Sequence, residues 1–142
     1  MKYLLLFLSI ISLTFGADFT NNSAMITIDD GVTVTVTGSF ENASGAVTNS
    51  GSFSITGDLL NNDVFDSQEN SVITLNGADQ SFFSGTYANM VVDSTGIKTM
   101  LGDVTVDGIL TLNGGTIDLN GYTLTVNETI VDNGGGIIGE GS

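Results

Sequence analysis

The segment Leu110 to Val126, LTLNGGTIDLNGYTLTV, states one pattern three times: Leu-Thr-Leu-Asn-Gly, Ile-Asp-Leu-Asn-Gly, Leu-Thr-Val-Asn. A single polar residue between two apolar ones is the period-two signature of a strand with one buried face. The Asn and Gly that follow accept left-handed backbone angles cheaply, so each short strand ends in a sharp turn. Asn-Gly turns also suit antiparallel hairpins. The alternation alone therefore leaves two architectures open, a meander or sandwich and a coiled solenoid.

Spacing separates them. The polar members Thr105, Thr111, Asp118 and Thr125 step by six, seven and seven residues, so three strands and three corners complete a circuit of about twenty residues. A second repeat lies nearer the N-terminus. The stretches that begin at Thr37 and Thr56 start nineteen residues apart and align Phe40 with Leu59 and Asn42 with Asn61. This periodicity predicts an all-β, single-stranded parallel (right-handed) β-helix, or β-solenoid, with about three short strands per coil of roughly 20 residues. A coil that thin cannot bury its own apolar face. The coils above and below must cover it and supply its hydrogen-bond partners. Met25-Ile26-Thr27-Ile28, Val32 to Val36, Phe53-Ser54-Ile55 and Val104-Thr105-Val106 carry the same alternation.

The chain of 142 residues has no Pro, Cys, His or Trp. Absence of Pro suits backbone that is nearly all laddered, since Pro donates no N–H. Absence of Cys removes disulfides and thiolate metal sites. Residues 1-16 read as a signal peptide: Lys2 is the positive n-region, Tyr3 to Leu13 the apolar run, and Gly16-Ala17 the small residues of a cleavage site. Residues 17-142 form the β-helix repeat domain. Without Lys2, Lys98 is the only basic side chain against sixteen carboxylates, a net charge of about −15. Such a surface repels nucleic-acid phosphates and anionic lipids, so neither is an expected partner.

From Thr56 to Val126 the chain resembles the secreted, repeat-rich surface proteins common in Bacteroidetes. The resemblance is carried by Gly57-Asp58-Leu59-Leu60-Asn61-Asn62, Ile73-Thr74-Leu75-Asn76-Gly77, Gln80-Ser81-Phe82-Phe83-Ser84-Gly85, Tyr87-Ala88-Asn89-Met90-Val91-Val92 and Leu101 to Val126. It covers about half of the chain. It implies an adhesin-like or extracellular scaffold, with a location that is secreted or on the outer cell surface. Many members end in a C-terminal sorting domain. Here the sequence stops at Gly139-Glu140-Gly141-Ser142, so the expectation is a repeat domain truncated at the C-terminus, whose partners are further repeats or domains of the same longer protein.

Candidate sites are few. Polysaccharide lyases of the parallel β-helix type need Arg or Lys as base, and the domain has no Arg. Asp29-Asp30 is the nearest approach to a paired-aspartate hydrolase, but Asp29-Asp30-Gly31 suits a turn better. Asn61-Asn62-Asp63, Asp66 and Glu69 form the densest oxygen cluster. Their spacing does not match an EF-hand, and they read as a solvated corner, with only weak Ca²⁺ binding through the overall field. Thr33, Thr35 and Thr37, with Thr27 and Thr56 on neighbouring coils, suggest an ice- or crystal-binding ladder, which Asp107, Asn113 and Asp118 are expected to interrupt. Phe82, Phe83 and Tyr87 could form a carbohydrate platform. Phe82 and Phe83 are adjacent, so one should be core and the other outward. Sequons begin at Asn21, Asn42 and Asn127. No catalytic, cofactor-binding or metal residue is assigned. The expected function is a non-catalytic extracellular or cell-surface β-solenoid scaffold. The alternative is a carbohydrate-binding or polysaccharide-degrading β-helix whose partners are extracellular glycans.

Overall fold

The computed structural model describes residues 12–139. Every regular element in it is a strand. The first coils contain β1 (Ser12–Phe15), β2 (Phe19–Ile28), β3 (Thr33–Val36), β4 (Phe40–Asn49), β5 (Ser52–Ile55), β6 (Leu59–Asn61) and β7 (Val64–Ser67). The middle coils contain β8 (Val72–Leu75), β9 (Gln80–Phe82), β10 (Gly85–Tyr87), β11 (Asn89–Val92), β12 (Ile97–Met100) and β13 (Val104–Val106). The last are β14 (Ile109–Leu112), β15 (Thr116–Asp118), β16 (Leu124–Val126), β17 (Thr129–Asp132) and β18 (Gly136–Ile138).

All pairings are parallel, and each joins a strand to its equivalent one circuit later. The chain is therefore a β-solenoid of about six turns. One wall is a seven-stranded sheet, β1-β3-β5-β8-β11-β14-β17. A second runs β18-β15-β12-β9-β6-β4-β2, and a third holds β10, β13 and β16. The register is the one that the sequence period gives: Thr105 pairs with Thr125, Phe40 with Leu59 and Asn42 with Asn61. At about 4.8 Å per rung, seven rungs span roughly 30 Å.

The first coils depart from three short strands. β2 and β4 are ten residues long and bend around a corner without breaking. The bend is held from inside by an asparagine ladder. Asn21 Nδ2 donates to Asn42 Oδ1 at 2.8 Å, and Asn42 Nδ2 donates to Asn61 Oδ1 at 2.7 Å and to the Val64 carbonyl at 2.9 Å. Gly45, at φ 103°, lies against the Ala24 carbonyl, where a Cβ would sit 2.3 Å from that oxygen. No side chain fits there. Register shifts at Asn21, Asn22 and Ala24 take up the remaining curvature.

The interior is built from columns of equivalent residues. Val36, Ile55, Leu75, Val92 and Leu112 stack along the first wall and are all buried. Burial of each contributes about 1.5–3 kcal/mol, which is the main source of stability in a chain with almost no cations. A chain of rings crosses the N-terminal coils: Phe15, Phe19, Phe40, Phe53, Phe65, Phe83 and Tyr87, with successive centroids 4.6 to 6.4 Å apart.

Of the expected leader, Ser12–Phe15 form β1 and stack on β3 in register, whereas residues 1–11 lie outside the described residues. Cleavage after Gly16 would leave β3 as the outermost rung of that wall. It would also uncover the apolar cavity of about 60 Å³ between Phe19, Val34, Phe40 and Phe53.

Candidate functional site

Each corner of the solenoid poses the same problem. The ladder is interrupted there, so backbone N–H groups lose their partners. Acidic and amide side chains meet this need from the coil before. Asp18 Oδ1 accepts the Ser39 N–H at 2.8 Å, Asp58 Oδ1 that of Ser81 at 2.7 Å, and Asp79 Oδ1 that of Ile97 at 2.8 Å. Asn89 Oδ1 accepts the Ile109 N–H at 2.9 Å and Asp103 Oδ1 that of Thr123 at 2.8 Å. These contacts reach 18 to 23 residues along the chain, one coil each. Much of the acidity is thus structural. Asp103→Ala should lower stability by about 0.5–1 kcal/mol in a urea titration, because it removes one hydrogen bond between successive coils. Asp103→Asn keeps the acceptor, removes a charge from an overloaded surface, and should leave stability unchanged or raise it.

Two exposed corners carry side-chain ladders. Asn133 Nδ2 donates to Asn113 Oδ1, and Asn113 Nδ2 to Asp93 Oδ1, both at 2.9 Å. Asn127 Nδ2 donates to Asp107 Oδ1 at 2.9 Å.

The predicted site residues scatter over the fold. Asp29-Asp30-Gly31 is the expected turn between β2 and β3, with Gly31 at φ 76°. Most of the oxygen cluster is engaged within the fold, and Glu69 is exposed. Asn61 Nδ2 donates to the Asp63 carbonyl, Asp63 Oδ2 accepts the Gly45 N–H at 2.8 Å, Asn62 Nδ2 donates to Glu41 Oε1, and Gln68 Nε2 to Asp66 Oδ2. Among the described residues no trio of acidic side chains is arranged to hold a metal ion. The sequons at Asn21 and Asn42 are buried in the inner ladder, so the folded chain offers neither amide to a glycosyl donor; Asn127 is exposed.

One expectation is corrected. Phe82 and Phe83 are both core, 0% and 8% exposed. β9 ends at Phe82, so alternation no longer applies at Phe83. The chain turns, and this ring packs 5.0 Å from Phe65 and 5.3 Å from Tyr87. Tyr87 is also buried and donates its hydroxyl to the Phe83 carbonyl at 2.7 Å. No aromatic platform faces solvent at these three positions.

Burial pushes the Tyr87 phenol well above its ordinary pKa. The folded state then keeps its proton at pH values where the unfolded chain, titrating near 10, has lost it. This contribution is fully present below about pH 9 and is lost as pH rises past about 10. Tyr87→Phe should lose about 1 kcal/mol at neutral pH with the hydrogen bond. It should also flatten the alkaline decline that the parent shows in denaturant titrations between pH 8 and 11.

Sequence reasoning missed Lys98. It lies on β12, paired with Gln80 on one side and Ile117 on the other, and points inward. It is 0% exposed. Its Nζ donates to the carbonyls of Gly77 at 2.7 Å, Ala78 at 2.6 Å and Thr95 at 3.1 Å. Gln80 works beside it. Its Nε2 donates to the Ile55 and Gly57 carbonyls, and its Oε1 accepts the Gly77 N–H. Desolvation lowers the Lys98 pKa from the ordinary lysine value, and Asp79 partly opposes this. The signal was present in Ile97-Lys98-Thr99-Met100: if Met100 is inward, period two makes Lys98 inward as well.

Two outer surfaces remain as candidates for contact with other molecules. The first is an open groove on the second wall, lined by Asp58, Asp79, Ser81, Thr99 and Asp118. One oxygen of each carboxylate is occupied by a backbone N–H; for Asp118 this is that of Asn120, at 2.9 Å. The second is the outward side of the seven-stranded wall. Strand register places Thr14, Thr35, Ser54, Thr74, Val91, Thr111 and Val131 in one column. Ser12, Thr33, Ser52, Val72, Asn89, Ile109 and Thr129 form the column beside it. Two of the expected interruptions lie elsewhere: Asp107 is on the corner after β13 and Asp118 is on the second wall. Asn113 does interrupt, because Thr37 and Thr56 belong to a corner column that continues through Asn76, Asp93 and Asn113. Thr27 belongs to β2 and pairs with Thr48, so it does not extend the array.

No family model, curated protein or solved structure matches this chain.

Proposed function

We propose that the chain is a non-catalytic β-solenoid segment of an exported or cell-surface protein, acting as a stiff, acidic spacer or adhesin-like scaffold of the type found in Bacteroidetes repeat proteins. The observation that carries this reading is that many of the polar side chains are engaged in holding one coil to the next. Corner aspartates hold the next coil's amides, the asparagines form ladders, and Lys98 holds three carbonyls. What remains is a rod with a largely apolar core and a negative surface, which repels like-charged rods and stays extended and soluble. Further repeats of the same protein are its natural neighbours along the axis.

A second reading, carbohydrate binding or polysaccharide degradation, draws support from the groove between Asp58, Asp79 and Asp118. A glycan array with the purified chain separates the two. The scaffold reading expects no glycan to bind at micromolar concentration. Reproducible binding that Asp79→Asn and Asp118→Asn abolish would replace it with the second.

A further inference from the structure

The two outward columns of the most regular wall are also free of charge, with Asp93 in the corner column beside them and Asp132 at the end of β17. The chain carries sixteen carboxylates, yet the two outward columns of the seven-stranded wall contain none of them, nor any aromatic ring. From β3 to β14 their polar members are Thr, Ser and one Asn, and the rest are Val and Ile. The Asn, Asn89, is already bonded to the Ile109 N–H and the Ser71 carbonyl. The second wall behaves differently. Its outward positions include Glu41, Asp66 and Asp118. Solubility alone would not clear acids from one wall and leave them on another.

Regularity is a second, independent property of the same wall. Every pairing from β1 to β17 keeps register, without a bulge, whereas the β2–β4 pair shifts twice. The columns therefore form a grid with points about 4.8 Å apart along the axis and about 6.6 Å across the strand. From β3 to β14 hydroxyls stand at Thr33, Thr35, Ser52, Ser54, Thr74 and Thr111, while Val72, Asn89, Val91 and Ile109 take the other points. The core columns and the corner staples beneath hold it fixed.

We propose that this wall is a binding face for a periodic, uncharged solid, and that the solid is ice. Hydroxyls fixed on a rigid, uncharged grid can hold water in a repeating arrangement, and the apolar side chains between them offer that water no competing hydrogen bond. A crystalline polysaccharide is the competing periodic solid. Its recognition rests on arrays of exposed rings that stack on sugar faces. Among the described rings, those from Phe15 to Tyr87 point into the core, and the exposed Tyr122 stands by itself on the corner between β15 and β16, off this wall. The ice face goes beyond the scaffold reading and stands without it.

The test is thermal hysteresis and partition into growing ice, measured on the purified protein and on single variants whose circular dichroism and melting match the parent. The parent should depress ice growth below the melting point and enter the ice. Thr35→Lys, Thr74→Lys and Thr111→Lys, all on this wall, should each abolish both effects. Thr99→Lys and Thr105→Lys add the same charge on the other two walls and should leave both effects intact. A folded parent with no hysteresis and no partition overturns the proposal. So does equal loss in the variants of the other walls, or sedimentation with crystalline cellulose or chitin without any effect on ice.

Discussion

Leu75→Ala should lower unfolding free energy by about 3–4 kcal/mol, and Leu75→Asp should leave no cooperative transition at all. Leu75 sits mid-column between Ile55 and Val92 and is 0% exposed. Truncation removes its contacts in both directions along the axis. In a solenoid, each coil is held by its neighbours, so a defect in the middle weakens both halves. Against a typical total of 5–15 kcal/mol this is a large share. An aspartate there would be a buried charge, and the one basic side chain among the described residues, Lys98, already holds three carbonyls. Thr74→Asp, one residue earlier and outward, should change stability by less than about 1 kcal/mol. Urea denaturation of the four proteins gives the comparison.

Lys98→Met should cost about 1–3 kcal/mol, although Met is apolar, similar in length and would stand beside Ile117. The loss comes from the charge-assisted hydrogen bonds that Nζ donates to the carbonyls of Gly77, Ala78 and Thr95; Gly77 keeps the Ser94 hydroxyl as a second donor, and Ala78 and Thr95 are exposed. The pH dependence gives an independent sign. Burial lowers the Lys98 pKa in the folded state, so on raising the pH the folded protein releases this proton before the unfolded chain does. Across the window between the lowered value and the ordinary one near 10.4, the unfolded state binds more protons, and stability rises with pH. Lys98→Met should lack that rise. Tyr87 acts in the opposite direction from about pH 10, so the pair is best read as the difference between each variant and the parent. If Lys98→Met is as stable as the parent, the three carbonyls have other partners and the role assigned to Lys98 fails.

The architecture was legible because the period and its phase are both in the residues. Thr105 and Thr125, or Phe40 and Leu59, occupy equivalent places in a repeat, and equivalent places in a stacked coil become hydrogen-bonded neighbours. The parts that were not legible have a common origin. They depend on what happens at corners, where local pattern gives way to contacts one coil distant. Asp63 read as part of a solvated corner, yet it accepts the Gly45 amide 18 residues upstream. Asp58 and Asp79, to which sequence reasoning assigned no role, each accept an amide from 18 to 23 residues downstream. Phe83 read as the outward half of a strand pair, but the strand had already ended. Asn42 read as a sequon, and its amide is committed to Asn61 and Val64. The threonine array shows the reverse case. Asp107 and Asp118 looked like interruptions only because sequence spacing does not say which wall a residue faces.

The chain has no cysteine, which allows a clean test of stacking by engineered disulfides. Thr105 and Thr125 are outward partners on successive coils, within the separation that a disulfide bridges. Thr111 and Thr116 would be cross-strand partners if Asn113-Gly114 made a hairpin, but they lie on different walls of the solenoid. The account predicts that Thr105→Cys with Thr125→Cys closes rapidly and completely under mild oxidation without loss of stability, while Thr111→Cys with Thr116→Cys stays reduced. Closure of the second pair and not the first would mean that the strands fold back on one another, and the stacked solenoid would be wrong.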